Sequence, residues 1–193
     1  AGYSINWSGQ YEYMERAKER LAIVVPITIV TIILLLFLNF RNMTEVLIIM
    51  GTLPTALIGG VWLLYLLEYH MSVAVGVGFI ALAGVAVEIG VVMLVYLKQA
   101  LASEKLKARK EQRPLSVNDL ASAVTNGALM RVRPIMMTVA AIIAGLLPIM
   151  LGSGTGSEVM RRIAAPMVGG MISATILTLA LIPAIFLLWQ RWR

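Results

Sequence analysis

Hydrophobic positions fall into five long blocks separated by short polar stretches. The blocks cover about 22–40, 46–67, 73–97, 135–151 and 165–189. Crossing the hydrocarbon core of a bilayer takes about 20 apolar residues in a helix, so each block predicts a transmembrane helix, the fourth being the shortest. The run 31–38 has no polar atom after its threonine and reads as lipid-facing. Ahead of the first block, Tyr3 to Gly9 alternates as a strand does and then gives way to a charged helical stretch, 11–20. The expected fold is an all-α membrane protein. Residues 1–20 form the end of an extracytoplasmic domain with its lead-in helix, and 21–193 form a transmembrane helical domain.

Composition agrees with that pattern. Sixty per cent of the 193 residues are hydrophobic and 13% are charged, whereas an ordinary soluble domain is roughly half apolar and about a quarter charged. Water-soluble enzyme, nucleic-acid module and disordered tail are disfavoured together. The net charge of +6 does not call for nucleic acid, because the basic residues gather between the third and fourth blocks. Lys98, Lys105, Lys107, Arg109, Lys110, Arg113, Arg131 and Arg133 all fall there, and with Arg41, Arg191 and Arg193 they put eleven of the 16 basic residues on one side. The positive-inside rule then directs the N-terminus outward and the C-terminus to the cytoplasm. Trp189 and Trp192 fit an interfacial anchor. An outward N-terminus with an odd number of spans predicts a fragment of a larger transporter-like chain.

The segment 98–133 is read mainly as a solvated cytoplasmic loop. The alternative is a short surface helix with Leu120, Val124, Leu129 and Met130 on its apolar face. No Gly-rich Lys-Ser/Thr element suggests a nucleotide site. Zero cysteines and one histidine, His70, exclude disulfides, zinc knuckles and His-rich metal clusters.

Glu88 is the sharpest single feature. It lies slightly past the middle of a 25-residue apolar block, where a lipid-facing charge costs several kcal/mol. It must face protein or water, or carry a proton. Ala81, Gly84 and Glu88 share a face, a small-residue stripe that admits a neighbouring helix. Such a carboxylate suits a proton-coupled transporter; a helix–helix hydrogen bond is the plainer alternative. Thr138, with Ala141 and Gly145 on its face, is either a polar group aimed inward or a threonine bonded to its own backbone one turn back. Pro26, Pro54, Pro148 and Pro183 lie inside the blocks, and Pro54 with Gly59-Gly60 reads as a bending point. Twelve methionines supply thioethers, soft ligands for Cu(I) and its like. Met160, Met167 and Met171 fall on one helical face, although such a stripe is more often packing.

Several motifs carry a resemblance. Gly9-Gln-Tyr-Glu-Tyr-Met-Glu-Arg16-Ala, Gly78-Phe-Ile-Ala-Leu-Ala-Gly-Val-Ala-Val-Glu88-Ile-Gly-Val-Val-Met93 and Arg131-Val-Arg-Pro134-Ile-Met-Met-Thr138 resemble the resistance-nodulation-division (RND) efflux pumps. Gly145-Leu-Leu-Pro148 and Gly154-Thr-Gly-Ser-Glu-Val-Met160-Arg-Arg-Ile-Ala-Ala-Pro166-Met-Val-Gly-Gly170-Met narrow this to the copper/silver members of the heavy-metal branch. The resemblance covers nearly the whole chain. It implies the last five of twelve transmembrane helices, preceded by the end of a periplasmic domain. It also implies a trimeric, proton-driven pump in a bacterial inner membrane, which passes Cu(I) or Ag(I) to a periplasmic adaptor and an outer-membrane channel. The metal is substrate, and no resident cofactor is implied. Glu88 then belongs to the proton relay, Thr138 to a second relay position and Met160 to a methionine relay. One departure stands out: the copper/silver pumps carry a lysine where this chain has Ile135. Another cation or drug as substrate, and a fragment that transports nothing by itself, are the alternatives.

Overall fold

The structure is a computed structural model and describes residues 10–114 and 116–192. The expected strand over 3–9 lies outside the described residues. The chain divides into two compact units, 1–46 and 47–193.

In the first unit, α1 (Gln10–Phe40) runs 31 residues. Its charged first turns hold an exposed pair one turn apart, Arg16 donating to Glu12. Further along, Thr28 and Thr31 donate to the carbonyls of Val24 and Ile27, each at 2.8 Å. The helix can therefore present Ile23, Ile27, Val30 and Leu34 outward without a stranded hydroxyl. Arg41, at φ 53°, turns the chain into the left-handed region and ends the helix. The Asn42 side chain then accepts from the Thr44 N–H at 3.2 Å as the next helix starts.

That helix, α2 (Met43–Met50), and α3 (Thr52–Leu66) are separated by Gly51 alone, which keeps right-handed helical angles. Together they make one candidate span, Met43–Leu66. α3 ends in a Schellman motif: Glu68 takes φ 55°, its N–H reaches the Tyr65 carbonyl, and the Tyr69 N–H reaches the Leu64 carbonyl at 3.0 Å. α4 (Val73–Lys110) starts at the Ser72 cap and ends in the same motif with Gln112 at φ 51°. α5 (Val117–Leu151) begins with a capping box between Ser116 and Asp119. Arg113, in the preceding turn, is hydrogen-bonded to Asp119 as well as to Glu111. α6 (Ser157–Trp192) follows Gly156, whose φ of 85° suits glycine. Arg161 donates to the Gly152 carbonyl just past the end of α5, through Nε at 3.0 Å and a second guanidinium nitrogen.

Among the described residues, five helical stretches are thus long and apolar enough to span a membrane. The polar segment does not bear out the loop reading. α4 has 38 residues and α5 has 35, about 57 and 52 Å at 1.5 Å per residue, against a hydrocarbon core of roughly 30 Å. Both helices continue beyond the apolar blocks, and only 111–116 lie between them. The proposed surface-helix face is also revised. Leu120, Ala123, Val124 and Gly127 are the buried positions, while Leu129 and Met130 are exposed. The reason is the register against α4, where Gly127 lies against Tyr96, Leu97 and Ala100.

In the second unit α6 is the central helix, packed on α3, α4 and α5. Its contact with α3 is close. A Cβ on Gly59 would lie 2.4 Å from the Gly169 carbonyl oxygen, and one on Gly169 equally near that of Gly59. Ser173 bridges the same pair of helices through the Ala56 carbonyl at 3.2 Å. Gly59-Gly60, read above as a bending element, therefore serves backbone approach between helices. Between α3, α4, α5 and α6, the core holds Ala56, Leu82, Ala86, Ile89, Ile135, Val139, Met171 and Ala174.

Candidate functional site

A cleft with room for about 100 Å³ of solvent opens between α4 and α5. α4 supplies Val85, Glu88, Ile89 and Val92, and α5 supplies Arg131, Pro134, Ile135 and Thr138. The two helices meet antiparallel: Gly127 lies beside Leu97, and the Arg131 guanidinium sits over the Tyr96 ring, 4.1 Å from its centroid. Seven residues further along α5, Thr138 falls at about the level of Glu88 on α4. Glu88 and Thr138, singled out separately in the sequence, thus come together.

Glu88 is exposed within this chain and points into the cleft. Among the described residues it has neither hydrogen bond nor ion pair. The stripe expected to admit a neighbouring helix is open here, with nothing within 4 Å of a Cβ added at Gly84. Close approaches belong instead to the glycines facing α6, such as Gly78, whose added Cβ would lie 2.4 Å from the Ile163 carbonyl. The hydroxyl of Thr138 donates to the Pro134 carbonyl at 3.1 Å. That is the backbone bond anticipated for an intramembrane threonine, and the carbonyl it uses is one that Thr138's own N–H would also address. Its oxygen keeps lone pairs for a donor in the cleft.

Met160 is not part of this cleft. It stands in the first turns of α6 and is 54% exposed. Met171, on the same face in the sequence reading, is fully buried in the core and is packing; Met167 is half-buried. Among the described residues no group of three or more His, Cys, Asp or Glu could hold a metal ion.

Sequence reasoning missed Arg131 and Tyr96. Arg131 was read as a topology charge and as the start of a family-like motif but given no place in the site, although Arg131, Ile135 and Thr138 share a helical face at i, i+4 and i+7. Ile135 is 6% exposed and packs with Ala86 and Ile89. The positive charge that the resemblance expects at that position is absent, and the cation that does line the cleft is Arg131.

Long apolar helices packed in this way define a multi-pass membrane protein, and the cleft that holds Glu88, Arg131 and Thr138 is its candidate functional site. The chain belongs to the AcrB/AcrD/AcrF family of RND transporters, whose family model matches residues 1–190. It is 54% identical to SilA of Salmonella typhimurium over 98% of the chain and 18% of that relative. It is 53% identical to the cation efflux system protein CusA of Escherichia coli K12 over 97% of the chain and 18% of CusA. A crystal structure of a heavy metal efflux pump superposes with a TM-score of 0.79 at 36% identity, covering 96% of this chain and 17% of that one. The chain therefore spans less than a fifth of the length of these relatives.

Proposed function

We propose that this chain is the C-terminal membrane portion of a proton-driven Cu(I)/Ag(I) efflux pump. In this reading residues 1–20 are the end of a periplasmic domain, the N-terminus is periplasmic and the C-terminus cytoplasmic, and the complete protein is a homotrimer in a bacterial inner membrane. Its remaining domains hand the metal to a periplasmic adaptor and an outer-membrane channel. The identity to SilA and CusA supports the copper/silver assignment.

The observation that carries the mechanism is the cleft. Glu88 and Thr138 lie at one level on facing helices, in a pocket too small for an organic substrate but large enough for a few waters. Glu88 is the group that takes up and releases the proton. Thr138 is its relay partner, accepting at the hydroxyl oxygen while its own proton is held by the Pro134 carbonyl. Proton movement through the cleft shifts α4 against α5, and the metal moves by a separate route. Met160 is a soft-metal way station on that route, its exposed thioether able to bind and release Cu(I) or Ag(I) without burying a fixed charge.

The test is metal tolerance of cells expressing the complete pump at equal membrane abundance. Wild type raises tolerance to silver and copper; Glu88→Gln abolishes the gain and Glu88→Asp retains part of it. Unchanged tolerance with Glu88→Gln contradicts the proton role. Zinc tolerance rising in place of silver tolerance contradicts the metal assignment.

A further inference from the structure

α5 has a short apolar block for a membrane span. Residues 135–151 make about 25 Å of helix, against a hydrocarbon core of roughly 30 Å. The helix ends at Leu151 and Gly152 follows, so the missing length comes from the other end. About twenty residues counted back from Leu151 begin at Val132, which puts Arg133 just inside the edge of the hydrocarbon.

Arg133 does not face the bundle. Ile135 and Val139 pack inward and Arg131 lines the cleft, whereas Arg133 lies about 200° around the helix from both Arg131 and Ile135. It is exposed, among the exposed side chains of Leu129, Met130, Met136 and Met137. Among the described residues it has neither ion pair nor hydrogen bond. A charge on an apolar outer face is costly unless it reaches the headgroups. Side chains on a helix tilt toward its N-terminus, so Arg133 extends toward the 111–116 turn and brings its guanidinium up to the lipid phosphates.

The rest of this face suits an anion with an apolar tail. Asn126, about two turns nearer the 111–116 turn, is exposed on the same face and adds an amide above the guanidinium. Asp119 is the one acidic residue of α5 and is hydrogen-bonded to Arg113, so no carboxylate here repels a phosphate. On the other side of Arg133, the exposed Ala140 and Ala144 leave a shallow track along the helix. A zwitterionic headgroup carries its own cation, which competes with the guanidinium for the phosphate; an anionic headgroup carries none.

We propose that the outer face of α5 binds one anionic phospholipid, in the leaflet on the side of the 111–116 turn. Arg133 holds the phosphate through paired N–H donors, Asn126 hydrogen-bonds the headgroup, and one acyl chain follows Met137, Ala140 and Ala144. The site is separate from the cleft and makes no use of Glu88. Only the naming of that leaflet as cytoplasmic rests on the topology proposed above.

Local fluorescence quenching tests it in the complete pump, freed of other reactive cysteines. Ala140→Cys carries a bimane label, and the protein is reconstituted in dioleoylphosphatidylcholine vesicles. Dibrominated phosphatidylglycerol or dibrominated phosphatidylcholine is then added in increasing fraction. Phosphatidylglycerol should occupy the site about fivefold more strongly, the ratio that one basic residue near an anionic surface supplies. Arg133→Leu should make the two lipids equal, and Arg133→Lys should keep most of the preference. Equal quenching by both lipids with Arg133 in place overturns the proposal without any change at Arg133. Quenching by neither lipid means that another part of the pump covers this face, and overturns it too. A preference for phosphatidylglycerol that survives Arg133→Leu overturns the assignment of the phosphate to Arg133.

Discussion

At position 88 a carboxylate faces a cleft walled by Val85, Ile89, Val92, Pro134 and Ile135. A charge in hydrocarbon is costly wherever it sits, so residues of this kind are visible from sequence alone, as Glu88 was. Thr138 was visible only in part. Its backbone bond to Pro134 follows from threonine chemistry, but its meeting with Glu88 depends on the register between two helices. Arg131 was hidden by its neighbours: among so many lysines and arginines it looked like one more topology charge, and nothing local announces the Tyr96 ring. Under the proposed function Met160 has a role independent of the cleft. Met160→Leu keeps size and apolarity while removing the sulfur. It should lower silver tolerance several-fold in the complete pump and leave proton leak unchanged, as measured by internal pH in the absence of silver. Silver tolerance equal to wild type would return Met160 to packing.

Helix ends and helix crossings set the next scale. Hydropathy finds the membrane-crossing part of a helix because the bilayer has a fixed thickness, but it is blind to a helix that continues into the polar region. The continuation of α4 and α5 is encoded by a sparser pattern: Leu101 and Ala108 on one, Leu120, Ala123, Val124 and Gly127 on the other. The turn between them is held by the Ser116–Asp119 capping box and by Arg113. Ser116→Ala should cost about 1 kcal/mol of stability, read as a lower midpoint of thermal unfolding in detergent with transport retained. No change in the midpoint would mean that the cap is not limiting there. The α3–α6 crossing is less forgiving. With carbonyls 2.4 Å from where a side chain would begin, Gly169→Val should cost roughly 3 kcal/mol or more and lower the amount of folded protein recovered from membranes. Gly84→Val, at an open position, is the control and should be recovered like wild type; equal recovery of both variants would contradict the close approach.

For the whole molecule, the five spans were legible because apolar length is a coarse property that tolerates errors of a few residues. The arrangement of the bundle was not. Gly59-Gly60 suggested bending, and only the position of Gly169 across from it reveals a packing contact. α6 became the central helix through a stripe of small residues, Ala164, Ala165, Gly170 and Ala174, that hydropathy does not distinguish from any other apolar run. Small residues at these positions let helices approach in lipid, where apolar surface gives no preference for protein over solvent. The cleft exists because α6 packs on both α4 and α5 but leaves the Glu88 and Thr138 faces uncovered.

The central claim is that a proton moves in exchange for the metal by way of Glu88. Reconstituting the complete pump in vesicles, imposing a silver gradient and following internal pH measures this directly. Wild type should move protons in proportion to silver, and Glu88→Gln, incorporated to the same level, should bind silver but move neither ion. Silver-coupled proton flux that survives Glu88→Gln undiminished would contradict the account.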